Sequence, residues 1–240
     1  MSANTNTNDF DIAFFVKMIE TAMQMVPPHY FSVSVAENLK GDTIQKRRER
    51  VYTYELYHNI RILQEIIRSD LDEAEKNKFY NIVAGNGGPL TSLISDATQE
   101  IKEQLLYSSL NAEIDKRGHS IIKEDFNPDM IFHVPGKMVN YSVIEIKCDL
   151  NKAGIKKDFH TIKCMLHCYQ YQYGVFILTH HQWNEFKKVF NRIWNELAQS
   201  ERTLYKQLSK KIFIILQSQP NTRPQKHALS EIEQIFGNNT

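Results

Sequence analysis

Two short groups of residues in this 240-residue chain have the means to do chemistry: Asn127-Pro128-Asp129 and, after fifteen intervening residues, Glu145-Ile146-Lys147. Strand-length apolar runs accompany them, DMIFHV at 129–134 and NYSVIEIK at 140–147, with Pro135-Gly136-Lys137 between. The pattern predicts a hairpin, its loop lengthened by Met138 to Asn140. Side chains two apart on a strand share a face, so Glu145 and Lys147 point one way while Ile144 and Ile146 point into the opposite layer. Pairing of the two runs brings Asp129 into the same neighbourhood, and carboxylates side by side repel. A divalent cation removes that penalty. Mg²⁺ (or Mn²⁺) prefers hard oxygen ligands, commonly one or two carboxylates plus waters and phosphate oxygens. Asp129 and Glu145 are therefore candidate ligands of a cation that polarises a phosphodiester and lowers the pKa of a bound water. Lys147 would orient that water or stabilise the charge that builds on the phosphorane oxygens.

The elements that must position these residues are read from periodicity. Residues 11–25 carry Ile12, Phe15, Met18, Ile19 and Ala22 at helical spacing and end at Pro27-Pro28. A polar stretch follows, then a long helix over about 51–68 preceded by the basic run QKRRER at 45–50. Residues 71–84 and 92–110 read as further helices, separated by GNGGP at 85–89, which we take as a plain loop rather than a phosphate cradle. From Asn111 to Lys147 the runs shorten to strand length: AEID, HSIIKED, then the predicted hairpin. A helix over 156–171, a buried strand at 174–180, a helix over 182–208 and a strand in KKIFIILQS complete the domain. The expected class is α/β, a mixed sheet flanked by helices with N-terminal and C-terminal helical additions. Residues 1–8 read as a disordered tail, 9–217 as one domain with a helical insertion over 70–110, and 218–240 as a linker and short helix from Leu229 to Phe236.

Composition sets outer limits. Hydrophobic residues at 42% and charged residues at 24% suit a soluble protein with a real core. Twenty-nine Lys and Arg against 28 Asp and Glu leave +1, so any polyanion surface has to be local. No apolar run approaches the length of a membrane span, and three cysteines do not make a disulfide framework. The expectation is no membrane and a reducing, cytoplasmic setting.

Pro128-Asp129, the fifteen-residue gap and Glu145-Ile146-Lys147 together resemble the PD-(D/E)XK nuclease signature of restriction endonucleases, resolvases and phage-defence proteins. The resemblance implies a restriction endonuclease-like core over about 51–180 and a DNA-cleaving, Mg²⁺-dependent hydrolase, with a role in restriction or phage defence. It implies that Asp129 and Glu145 bind metal and that Lys147 assists. Members often add an acid from the first core helix, which suggests Glu55 as a further metal or water ligand; Glu113, on the first core strand, is its rival. Some also carry Gln and Tyr on the helix after the lysine strand, which singles out Gln170, although the spacing of CYQYQYG departs from that pattern.

Lys152, Lys156, Lys157 and Lys163 follow the site directly, where phosphate contacts of a nuclease are expected. Other features read blandly. His160, Cys164, His167 and Cys168 lie near one helical stripe and are taken as reduced core cysteines and satisfied histidines rather than zinc ligands. Trp183, Phe186, Phe190 and Trp194 belong to an ordinary core stripe or a dimer face. The competing function is a catalytically inactive nuclease-fold module for nucleic-acid binding or protein assembly. A homodimer, or a partner subunit of a defence system, is compatible with either.

Overall fold

A strand whose successive side chains are nearly all buried must be covered on both faces, and Val139–Lys147 is such a strand. The computed structural model describes residues 10–31, 33–37, 43–46, 49–69, 88–112, 127–232 and 235. Within these, six strands form one sheet in sequential order: β3 (Ser109–Ala112), β4 (Met130–Val134), β5 (Val139–Lys147), β6 (Tyr173–Thr179), β7 (Ile212–Gln217) and β8 (Gln225–Ala228). β4 is antiparallel to both of its neighbours, β3 and β5, while β5, β6 and β7 run parallel and β8 returns antiparallel to β7. The chain is thus an α/β protein with a mixed sheet flanked by helices. No helix among the described residues is long and apolar enough to cross a membrane.

Alternation on β5 separates two cores. Ile144 and Ile146, with Val175 and Ile177 of β6, face a layer built from α1 (Ile12–Met25), α3 (Glu49–Arg68), α4 (Gly88–Ser95) and α5 (Gln99–Tyr107). Val143 of β5 and Phe176 and Leu178 of β6 face the other layer, made of α6 (Lys152–Cys168), α7 (Trp183–Glu196) and α8 (Gln199–Leu208). Phe15 stacks on Phe132 in the first core, and Phe159 meets Phe176, Phe186 and Phe190 in the second. The Trp and Phe stripe of α7 is core, as its spacing predicts: Phe186, Phe190, Ile193 and Trp194 are buried.

Parallel strands need a crossover, and α6 supplies it between β5 and β6. The expected hairpin is present as β4–β5, with Met130 opposite Ile144 and an irregularity between Phe132 and His133. Several boundaries differ from expectation. The polar stretch after α1 contains a short helix, α2 (Pro28–Phe31), and an antiparallel pair, β1 (Val33–Glu37) with β2 (Thr43–Lys46), where Ser-Val-Ser-Val alternates with the period of a strand. The helix expected over 92–110 is two helices, α5 starting afresh at its N-cap Thr98, and the chain is already β3 at Ser109. The helix expected over 182–208 breaks at Leu197-Ala198, where the Ala198 N–H is taken by Glu201. The expected linker after 217 carries β8 and then a 3₁₀ turn at Leu229–Glu231, so part of that segment belongs to the sheet. The expected 71–84 helix and the HSIIKED strand lie outside the described residues.

Close approach of α6 to the sheet depends on Gly174. A Cβ there would stand 2.4 Å from Ile162 Cγ2, a branch methyl with no room to swing away. Gly174→Ala is therefore expected to destabilise the fold by about 1–3 kcal/mol, read as a lower midpoint in urea or thermal unfolding. An unchanged midpoint would contradict this packing.

Candidate functional site

The sheet register carries the two sequence groups to one end. β4 starts where β5 ends, and the Met130–Ile144 pair places Asp129 at the mouth of the hairpin, just beyond the paired residues. There the Asp129 Oδ2 accepts the Ile146 backbone N–H at 2.7 Å, a bond that ties the side chain before β4 to the last turn of the pleat on β5. Glu145, one residue earlier, is a buried acid only 4% exposed, between β4 and β6. Lys147 ends β5 on the Glu145 face, about 7 Å further along at the ordinary strand rise.

The end of β5 is closed from both layers. From the α3 side, Glu49 sits in the first helical turn, where a carboxylate also suits the helix dipole. Its Oε1 accepts from Lys147 Nζ at 2.8 Å and its Oε2 from the Cys148 backbone N–H at 3.4 Å. One turn on, the buried Tyr52 hydroxyl lies 3.3 Å from Gln217 Oε1 at the end of β7, and the Gln217 amide donates to the Thr222 carbonyl at 3.0 Å. These bonds fix the start of α3 against the carboxyl ends of the parallel strands. From the other layer, Asn151 caps α6 through the Ala153 and Gly154 N–H groups, and Asp158 projects inward from the second turn. Asp158 Oδ2 is 3.3 Å from Lys147 Nζ and has no hydrogen-bond donor aligned on it. Gly154 lies beside the Lys147 stem; a Cβ there would meet Cε at 3.6 Å, ordinary contact.

Electrostatics follow from this enclosure. Burial pulls the Lys147 ammonium down, but the Glu49 hydrogen bond and the charges of Asp158, Glu49 and Asp129 outweigh it, so its pKa rises and the group stays charged. Burial pushes the Asp158 carboxyl up to about 6, against the pull of Lys147 and with a further push from the negative charges of Asp129 and Glu49. Burial likewise raises the Cys148 thiol to about 11, which keeps it a thiol at neutral pH. Among the described residues, no three His, Cys, Asp or Glu side chains converge as a ready-made cation cage. Asp129 and Glu145 can supply the one or two carboxylates that Mg²⁺ commonly takes alongside water and phosphate oxygens.

The other residues singled out from sequence fall in different places. Glu55 is half-buried on α3, but six residues past Glu49 it faces about 120° away at 100° per residue, and Glu49 is the helix acid that reaches Lys147. Glu113 lies outside the described residues. Lys152 pairs with Glu196, Lys156 stands 3.6 Å from the same carboxylate, and Lys157 is exposed near the start of α6. Lys163 is buried, its ammonium 2.8 Å from Glu201 and over the Tyr205 ring, so it braces α6 against α8 instead of facing a polyanion. Gln170 is at the far end of α6, in left-handed conformation with φ +56°, about 25 Å along the helix axis from Lys152. It is not at this site. The His160–Cys164 stripe is not core: Cys164 is half-buried, 3.6 Å from His160 Nε2, while His160, His167 and Cys168 are exposed.

Sequence reasoning missed Glu49 and Asp158. Glu49 is hidden inside the basic run QKRRER, two residues before the expected helix start. Asp158 carried a usable signal: it shares the apolar stripe Ile155, Phe159 and Ile162, where an acid is out of place unless paired. No family model, curated protein or solved structure matches the chain.

Raising a carboxyl pKa on folding makes its ionised form a burden on the folded state. For Asp158 that burden is complete above a pH of about 6 and is relieved as pH falls through about 6 towards the unfolded value of 3.8. Asp158→Asn removes it together with a counter-charge of Lys147, so the stability of the variant relative to the parent is expected to fall as pH drops from 8 towards 4, by about 1–3 kcal/mol at 1.36 kcal/mol per pKa unit. Thermal midpoints measured across that range check both sign and window.

Proposed function

We propose that the chain is a Mg²⁺-dependent nuclease with a restriction endonuclease-like fold that hydrolyses phosphodiester bonds of DNA, acting in restriction or phage defence. One observation carries the reading: Asp129, buried Glu145 and charged Lys147 meet at one end of β4 and β5, with Glu49 hydrogen-bonded to that lysine.

The donor set suits the cation. Asp129, which accepts the Ile146 N–H, and buried Glu145 offer the hard oxygens that such an ion takes. Bound there, Mg²⁺ would polarise the phosphodiester and lower the pKa of a water. The rest of the chemistry belongs to the chain. Asp129 is held in place by the Ile146 N–H, and Glu145 by its position in the middle of the sheet. Lys147 presents three donors; Glu49 takes one, Asp158 adds its charge from the other side, and a remaining donor is what a phosphate oxygen or an attacking water would take. A permanently charged ammonium at that point stabilises charge building on the reacting phosphate. Exposed Lys157, with Lys152 and Lys156 on the same turns of α6, would follow the nucleic-acid backbone once the Glu196 pairings give way to phosphate.

The alternative, a catalytically inactive module for nucleic-acid binding or assembly, is favoured by the engagement of Lys147 with two carboxylates and by the absence, among the described residues, of three converging ligands. Plasmid, linear and single-stranded substrates with and without Mg²⁺ separate the two. Cleavage by the parent chain is expected only with Mg²⁺ or Mn²⁺, and Asp129→Ala or Lys147→Ala is expected to abolish it while leaving the circular dichroism spectrum unchanged. Activity retained in both variants would sink the proposal. The helix acid is tested separately: Glu49→Gln should slow cleavage by about 10²-fold, the scale of losing one positioned group, whereas Glu55→Gln should leave it within about twofold.

A further inference from the structure

An acid on a core-facing helix stripe needs a reason, because buried ion pairs are often no more stabilising than apolar residues of the same volume. Asp158 is such an acid. It is 3% exposed among Ile155, Phe159 and Ile162, it lies eleven residues from Lys147 in sequence, and one of its oxygens is spent on an off-axis contact with that ammonium at 3.3 Å. The fold gains little from it, since burial already pushes its carboxyl towards the neutral form.

Lys147 is held differently along its length. Its stem passes Gly154, where the missing side chain leaves the flank of the lysine open. A flexible four-carbon stem with an open flank has many rotamers. The ammonium is held by Glu49 from the α3 layer and by the charge of Asp158 from the α6 layer. With Glu49 alone the lysine could follow that half-exposed glutamate away from the sheet end.

We infer that Asp158 is a positioning residue: with Glu49 it clamps the Lys147 ammonium between the two helical layers, fixing it beside Asp129 at the end of β5. The inference rests on the nuclease reading for its catalytic consequence, and the clamp itself is independent of it.

Two readouts on the 240-residue chain keep these apart. The first is competitive reductive methylation of lysines at fixed pH, quantified by mass spectrometry. In Asp158→Asn, Lys147 should be modified several-fold faster than in the parent, with Lys152, Lys156 and Lys157 unchanged. Buried Lys163, on the same helix and paired with Glu201, is the internal control: faster modification there as well would signal general loosening, and a Lys147 rise no larger than that of Lys163 overturns the clamp. The second is cleavage of the plasmid with Mg²⁺. Loss of positioning should lower kcat by about ten- to a hundredfold, the scale of a misplaced catalytic group, with KM little changed, and Asp158→Glu should recover part of the loss. Unchanged Lys147 modification in Asp158→Asn overturns the clamp. An unchanged kcat in an active enzyme overturns its positioning role. A parent chain that cleaves nothing defeats the nuclease reading instead, and the methylation experiment still decides whether Asp158 holds the lysine.

Discussion

Everything at the candidate site depends on one constraint, the burial of β5 on both faces with charged side chains at its end. A central strand has no solvent side, so Glu145 and Lys147 cannot be placed there cheaply; each buried ion needs a counter-charge or a ligand. For Lys147 the chain meets that need from three directions. Asp129 arrives through the hairpin, Glu49 through the first turn of α3, and Asp158 through the second turn of α6. Remove the strand order and none of these groups has a reason to be near the others.

The packing serves the same end. α3 can present Glu49 only if its start is fixed, and the bonds from Tyr52 to Gln217 and from Cys148 to Glu49 anchor it to the ends of β7 and β5. α6 can present Asp158 only if it lies flat on β5 and β6, which Gly174 permits by leaving room for Ile162. The capping of α6 by Asn151 sets the helix phase, and phase decides that residue 158 faces inward while Lys152, Lys156 and Lys157 face outward. A shift of one residue in that start would turn Asp158 by about 100° and dissolve its contact with Lys147.

How much of this could be read in the sequence follows from which signals are local. The β4–β5 hairpin, the opposite facing of Ile144 and Ile146 against Glu145 and Lys147, and the α7 stripe were legible because period two and period 3.6 are written in adjacent residues. The meeting of Asp129 with Glu145 and Lys147 followed from the hairpin alone. Glu49 did not, because its role depends on where α3 begins, and helix starts are set by tertiary contacts as much as by sequence. Glu55, the acid that the resemblance suggests on this helix, lies about 120° around it from Glu49, the acid that reaches Lys147. The strand β8 was missed for a different reason: Gln-Lys-His-Ala has little intrinsic preference for a strand, and it becomes one by pairing with β7.

The near-neutral total charge takes on a more definite meaning in this geometry. Of the lysines that follow the site, Lys152 and Lys156 share Glu196, and Lys163 is consumed by Glu201 inside the α6–α8 contact. The chain has matched these cations with its own anions. The pairings differ in kind. Glu196 is a solvent-exposed acid whose hold on two exposed lysines is weak and screened by salt, whereas the Lys163–Glu201 pair includes a buried ammonium that also lies over the Tyr205 ring. A polyanion competing for α6 would therefore displace the first and leave the second intact, and its contact surface would be confined to the turns of α6 nearest Asp129 and Lys147. The same helix thus divides into an end open to exchange of counter-ions and an end committed to the fold.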